Sequence, residues 1–259
     1  MSRKASLGLL IVFTAAVAFA FCLIPRFAQP LSYHLFADRR ALLGIPNFAD
    51  VASNLPFAII GFWGLVFLLR SRQNSALFLD PRERWPYLFV FLGLLLTAFG
   101  STWYHLAPTN ATLVWDRLPM TITFMSLVAA LIAERISLRL GLWLLPILMA
   151  GGLASVLQWD LSEIQGAGDL RFYAAVQVYA VLVVLLALLV PSRYSHASYF
   201  AFVFVFYVLA KILETFDKPI FACLHVVSGH TLKHLAAAAS GYFILRMLQK
   251  RRPLPPAAF

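Results

Sequence analysis

Apolar residues gather into eight long runs along the chain, at 7–25, 48–69, 86–106, 113–133, 138–158, 172–190, 197–216 and 226–247. Each is close to the roughly 20 residues that an α-helix needs to cross the hydrocarbon core of a bilayer. The breaks between them hold helix-stopping and turn-forming residues: Pro25 and Pro30, the polar run from Arg70 to Arg84, Pro108, Asp160 to Asp169, Pro191, and Asp217-Lys218-Pro219. The sequence has no internal repeat, and its one low-complexity stretch is the Pro-rich tail at Pro253 to Pro256. The pattern predicts an all-α, polytopic transmembrane helix bundle in one compact domain. It divides into an N-terminal helix at 1–25, a seven-helix core at 26–250 and a cytoplasmic tail at 251–259.

The first run reads in two ways. Arg3 and Lys4 ahead of an apolar stretch ending near Ala18-Phe19-Ala20 fit a signal peptide with a small-residue cleavage site. The stretch outruns the usual signal core of about 7–15 residues, which favours a retained helix. Both readings put residue 26 outside.

Composition narrows the class further. Of 259 residues, 61% are apolar and only 12% charged, against roughly 25% charged in an ordinary soluble domain. With a mean hydropathy of +0.81, this excludes a soluble enzyme, a disordered chain and a nucleic-acid-binding domain, despite the net charge of +10. The basic residues instead orient the helices. With the N-terminus inside, the inner segments hold Arg3, Lys4, Arg70, Arg72, Arg82, Arg84, Arg135, Arg139, Arg193, Arg246, Lys250, Arg251 and Arg252. The outer segments hold Arg26, Arg39, Arg40, Arg171 and Lys218, with Arg117 close by. The positive-inside bias therefore predicts that both termini are cytoplasmic. A bacterial inner membrane fits such a short-looped chain; an organellar membrane would turn the outer face to the lumen. Cys22 and Cys223, in or next to apolar stretches, form neither a disulfide framework nor a Cys-based zinc motif.

Ionisable groups inside a membrane are costly and point to function. Ser101 and His105 end the third run, Asp116 opens the fourth, and His230 and His234 lie in the first turns of the last. The i, i+4 spacing puts Ser101 with His105, and His230 with His234, on shared helix faces. Three imidazoles plus an open position are the ligand set of a catalytic zinc site. Each pattern also has a plainer reading. A His pair one turn apart can be a packing pair, a Ser can bond back to its own helix, and Asp116 can favour a helix start. The deduced topology nonetheless brings all five residues to one membrane face at similar depth. Other polar residues read differently. Lys211 and Glu214 suit a packing ion pair, and Lys233 points to another face and snorkels outward. Gln158, Trp159 and Asp160 line an outer mouth. His34, His196 and His225 are not read as ligands.

The ordered set Ser-x3-His, Asp116-Arg-Leu-Pro-Met120 and His-x3-His, with Asp50-Val-Ala-Ser-Asn54 in the first core helix, resembles the alkaline ceramidase family. That family belongs to a seven-helix hydrolase superfamily that also includes the progestin and adiponectin receptors. The likeness runs over residues 34–248. It implies zinc held by His105, His230 and His234, with Ser101 and Asp116 beside the open position. It also implies hydrolysis of the amide bond of ceramide-like lipids to a sphingoid base and a fatty acid. Animal members bind calcium near the first core helix. Here Asp38, Asn47 and Asp50 are the oxygen ligands that remain for Ca2+, beside the unfavourable Arg39 and Arg40.

The expected partners are thus a lipid substrate and the bilayer, with no nucleic acid. In the mechanism expected from these residues, Asp116 shuttles a proton and Ser101 donates to the developing oxyanion. Two other functions compete. One is a receptor or lipid-binding regulator with a structural zinc; the other is a transporter, against which the lack of an inverted repeat speaks.

Overall fold

The computed structural model describes residues 3–71 and 77–255, with side chains from residue 5 onward. Arg72, the side chains of Arg3 and Lys4, and the tail at 256–259 lie outside the described residues. Ten α-helices account for most of the described chain: α1 Arg3–Leu23, α2 Phe48–Ala52, α3 Leu55–Arg70, α4 Arg84–Leu106, α5 Asn110–Arg135, α6 Leu138–Ile164, α7 Arg171–Leu189, α8 Tyr199–Thr215, α9 Asp217–Leu224 and α10 Gly229–Lys250. Every apolar run has become helix, and the protein is an all-α bundle of a multi-pass membrane protein.

Among the described residues, six helical segments are long and apolar enough to cross a bilayer, and a seventh is gained if α8 and α9, bent by 76°, count as one broken span. The last run is helical too, but His230, Thr231, Lys233 and His234 dilute the hydropathy of α10. At 22 residues and about 1.5 Å per residue, α10 still has the length to cross.

α5 is the central helix. Of its most apolar window, 72% is buried, against 11% for α1 at the periphery. It packs on α4, α6 and α7, while α10 packs on α8 and α3. Helix starts follow side-chain capping. Thr109 and Thr112 close a reciprocal capping box at α5, and the Ser228 side chain accepts from the Thr231 amide at the start of α10.

Two glycines let helices approach where the polar residues lie. A Cβ on Gly100 would stand 1.9 Å from the Trp115 carbonyl oxygen, so only glycine lets α4 meet α5 beside Ser101 and Asp116. A Cβ on Gly229 would stand 2.3 Å from the Leu213 carbonyl oxygen, so glycine is also what lets the start of α10 press against the end of α8.

At the far end of the bundle the first residues after α10 pack against the protein. Arg251, counted with a cytoplasmic tail, is buried and pairs with Glu134, which also accepts from the Tyr87 hydroxyl at 2.8 Å. Its guanidinium lies 4.2 Å from the Tyr194 ring centroid and 4.4 Å from that of Phe78. Arg193 and Tyr194 both bond to Glu83 nearby. Backbone bonds Leu254 to Arg193 and Ser195 to Arg252 hold the following residues against the α7–α8 loop. A buried glutamate beside the end of α10 draws Arg251 inward, because a carboxylate left there unpaired would be costly.

Candidate metal centre

His105 occupies the last turn of α4, and His230 and His234 lie one turn apart at the start of α10. The α10 start is fixed by Asp217, whose Oδ1 accepts from the His230 amide at 2.8 Å and whose Oδ2 accepts from the Ala37 amide at 2.9 Å. The α4 end is fixed by Asn47, whose side-chain amide donates to the His105 carbonyl at 2.8 Å. Held in this way, the three imidazoles converge. Their ring centroids are 4.9, 4.9 and 5.1 Å apart, and one ligand nitrogen from each falls within 4.8 Å of the others. All three side chains are buried.

The donor chemistry around the rings suits a metal. His234 Nδ1 lies 2.7 Å from Ser53 Oγ, which itself lies 2.9 Å from the Asp50 carbonyl oxygen. The hydroxyl donates to that carbonyl and so accepts from Nδ1–H of His234. This tautomer leaves the His234 Nε2 lone pair free. His234 Nε2 faces His105 Nε2 at 3.3 Å, the separation of about 3.3 Å set by two nitrogens at about 2.0–2.1 Å from a tetrahedral zinc. His230 Nε2 is buried without any hydrogen-bond partner, the condition of a ligand atom awaiting a cation rather than of a packed core histidine. Phe36 closes the cluster from the N-terminal loop, with centroids 4.7 Å from His105 and 4.5 Å from His230. A buried three-histidine group that can hold a metal ion is therefore part of the fold. Among the described residues no other His, Cys, Asp or Glu group has this arrangement.

Beside it lies a cavity of about 370 Å³. His234, Ser101 and Asp116 share its wall with Lys233, Glu214 and Arg117. Ser101 and Asp116, from facing helices α4 and α5, line the same cavity. Thus the five residues singled out by spacing meet in one place: three as the imidazole cluster and two at the neighbouring wall. Leu94, Thr123, Phe124, Tyr207 and Ser240 also border a second, smaller apolar cavity deeper in the bundle, lined further by Leu127, Val184, Val203 and Ile244.

The three residues considered for Ca2+ have other partners. Asp38 receives two side-chain bonds from Arg40, at 2.8 and 2.7 Å, and these hold its carboxyl below the usual carboxylate range. Asn47 serves the His105 carbonyl, and Asp50 Oδ1 accepts from the Thr231 hydroxyl at 2.6 Å. The arginine beside Asp38 neutralises the charge that a calcium ion would need.

Two further readings are corrected. Lys233 does not reach outward: its Nζ bonds Glu214 at 2.6 Å at the cavity wall, because it lies three residues after His230 and so near the same face. Trp159 does not line a mouth. It is fully buried, donates to Glu163 at 3.1 Å and packs on Arg117, whose guanidinium carbon is 4.2 Å from its ring centroid. The expected Lys211–Glu214 pair is present, but Glu214 also takes Lys233 and the Tyr33 hydroxyl, the last at 2.9 Å. Burial, with Glu214 nearby, pushes the Tyr33 phenol well above its usual range, so that it stays a donor. His34 bonds Tyr104 and Asn110, both at 2.9 Å, and takes no part in the cluster.

Ser53, Phe36, Arg117 and Tyr33 are the site residues that spacing alone does not find. Ser53 lies in the Ser-Asn motif of the first core helix, but its partner is set by the break between α2 and α3. No protein-family model matches the chain, and no curated protein matches it.

Proposed function

We propose that the protein is a zinc-dependent intramembrane lipid amide hydrolase, similar to the alkaline ceramidases, releasing a sphingoid base and a fatty acid from N-acyl sphingoid lipids. The observation that carries this reading is the convergence of three buried imidazoles beside a cavity whose wall presents one of them, His234, together with Ser101 and Asp116. Zinc held by His105, His230 and His234 supplies Lewis-acid polarisation of a carbonyl and acidification of water.

The chain's own residues do the rest. In hydrolysis, water adds to the amide carbon, the C–N bond breaks, and the leaving amine takes up a proton. Asp116 accepts the proton from the attacking water and hands it to the nitrogen. Ser101, beside it, donates a hydrogen bond to the oxygen on which negative charge develops. Ser101 is not the nucleophile in this scheme, because its neighbour is Asp116 while the imidazoles are turned on one another. The apolar cavity that continues into the bundle takes an acyl chain, while the amide stays at the polar end.

The test is release of labelled fatty acid by purified, zinc-loaded protein given ceramide, lysolipid and N-acyl amino acid, each labelled in its acyl chain, compared with His234→Ala. Release by the wild type alone supports the reading. No metal-dependent release from any of the three sinks it and leaves a lipid-binding regulator as the better account. Release from the lysolipid only would turn the amide into an ester.

A further inference from the structure

The cavity wall carries more positive than negative side chains. Arg117, Lys211 and Lys233 face Asp116 and Glu214 there. Glu214 is shared by both lysines and by Tyr33. Arg117 is 5% exposed, clamped 4.2 Å from the Trp159 ring centroid and 4.6 Å from that of Tyr173. Its Nη2 donates to the Gln29 side chain, whereas its Nη1 has no hydrogen-bond partner. Arg117 and Lys233 both lie within 6 Å of one ring, Tyr33, at 5.9 and 5.6 Å. The two cations thus stand on the same part of the wall, next to Asp116.

An excess cation in a membrane-embedded cavity is unstable without a counter-ion. Inorganic ions partition poorly into such a place, but a lipid arrives with its headgroup attached. A guanidinium packed over two aromatic rings is restrained in place, and its planar fork of donors fits carboxylate or phosphate oxygens. Lys233, one residue from His234, sets this positive region within a few bonds of the imidazole cluster.

We infer that the substrate of this cavity carries an anionic group, carboxylate or phosphate, near its amide, and that Arg117, with Lys211 and Lys233, selects for it. The inference rests on the reading of the cavity as the lipid-amide site. Arg117 and Lys211 act here as specificity-determining residues for the headgroup, distinct from the residues assigned to bond cleavage.

The experiment measures equilibrium binding of three amides sharing one dodecanoyl chain to the purified full chain in nanodiscs. They are N-dodecanoylglycine, the phosphate monoester of N-dodecanoylethanolamine, and neutral N-dodecanoylethanolamine. Binding is followed in zinc-loaded and chelator-treated protein, and amine release is recorded alongside. At least one anionic amide should bind about tenfold more tightly than the neutral one, and should do so without zinc, since the cations belong to the chain. The tighter of the two anions identifies the headgroup as carboxylate or phosphate. Arg117→Gln should remove most of the preference, and Arg117→Lys should keep part of it. Lys211 is half exposed, so Lys211→Met reports on the charge even where the buried Arg117→Gln chain fails to fold. Equal or tighter binding of the neutral amide by the wild type overturns the inference. So does a preference left unchanged by Lys211→Met together with either arginine variant that folds. Preferential binding with no amine released refutes the hydrolase reading and leaves the anion site standing; release without preference does the reverse.

Discussion

Replacing Ser53 with alanine isolates the support of the metal centre from its ligands. Ser53 Oγ is 2.7 Å from His234 Nδ1, and its loss removes the acceptor that fixes the ring tautomer. Outer-sphere partners of metal-bound histidines are generally worth 10- to 100-fold in metal affinity, or about 1.4–2.7 kcal/mol. The cost to the fold is smaller. The Asp50 carbonyl that loses the Ser53 hydroxyl still accepts from the Asn54 side chain at 2.9 Å, so its desolvation is offset and about 1 kcal/mol is the expected loss. Competition with a graded series of zinc chelators reads the affinity, and thermal unfolding of the same samples reads the stability. Ser53→Ala should bind zinc 10- to 100-fold more weakly with little change in unfolding temperature of the zinc-free protein. Ser53→Thr, which keeps the hydroxyl, should recover most of the affinity. Zinc affinity unchanged in Ser53→Ala would refute the assigned tautomer and the role of the α2–α3 break.

Three other changes probe separate parts of the molecule. Asp116→Asn should lower kcat for amide release by about 10²- to 10⁴-fold while zinc content stays at the wild-type level; kinetics and metal analysis on one preparation check both. Arg251→Met strands buried Glu134 and should destabilise the bundle by about 3–5 kcal/mol, measured by denaturation in detergent, without altering zinc affinity. The Asp38–Arg40 pair gives a pH signature. Hydrogen bonds from Arg40 lower the folded-state pKa of Asp38 below 3.8, so its stabilisation is fully present above the ordinary carboxylate pKa and is lost as pH falls through the folded value. Asp38→Asn should therefore be less heat-stable than wild type at pH 7, with the gap closing below about pH 4; a gap constant across that range contradicts the pairing.

The helices were legible because a bilayer imposes both length and hydrophobicity on each span, and every run of about 20 apolar residues became helix. The imidazole cluster was legible for a related reason. In so apolar a chain, His105, His230 and His234 stand out, and alternating helix directions bring their helix ends together. Partners decided by packing between helices were not legible. Ser53 reaches His234 only because the apolar run breaks between α2 and α3. Arg117 follows Asp116 in sequence, yet its environment comes from Trp159 on α6 and Tyr173 on α7. Lys233 sits about 60° round α10 from His230, and only the fold shows that Glu214 on α8 holds its ammonium at the cavity wall. Arg251 reads in sequence as one more inner-side charge, and its buried partner Glu134 on α5 is visible only in the fold. In each case the sequence shows the residue, and the tertiary contact decides what it does.

The central claim is that His105, His230 and His234 together hold a metal ion beside the cavity, whose wall His234 reaches. Metal analysis of purified wild type beside the His230→Ala, His234→Ala double variant tests it most directly, with X-ray absorption at the zinc edge reporting the ligand atoms. The account predicts a single zinc ion per chain with imidazole-nitrogen coordination in the wild type, and none in the folded variant. Equal metal content in the two proteins, or no stoichiometric metal in either after growth and purification with zinc, would contradict it.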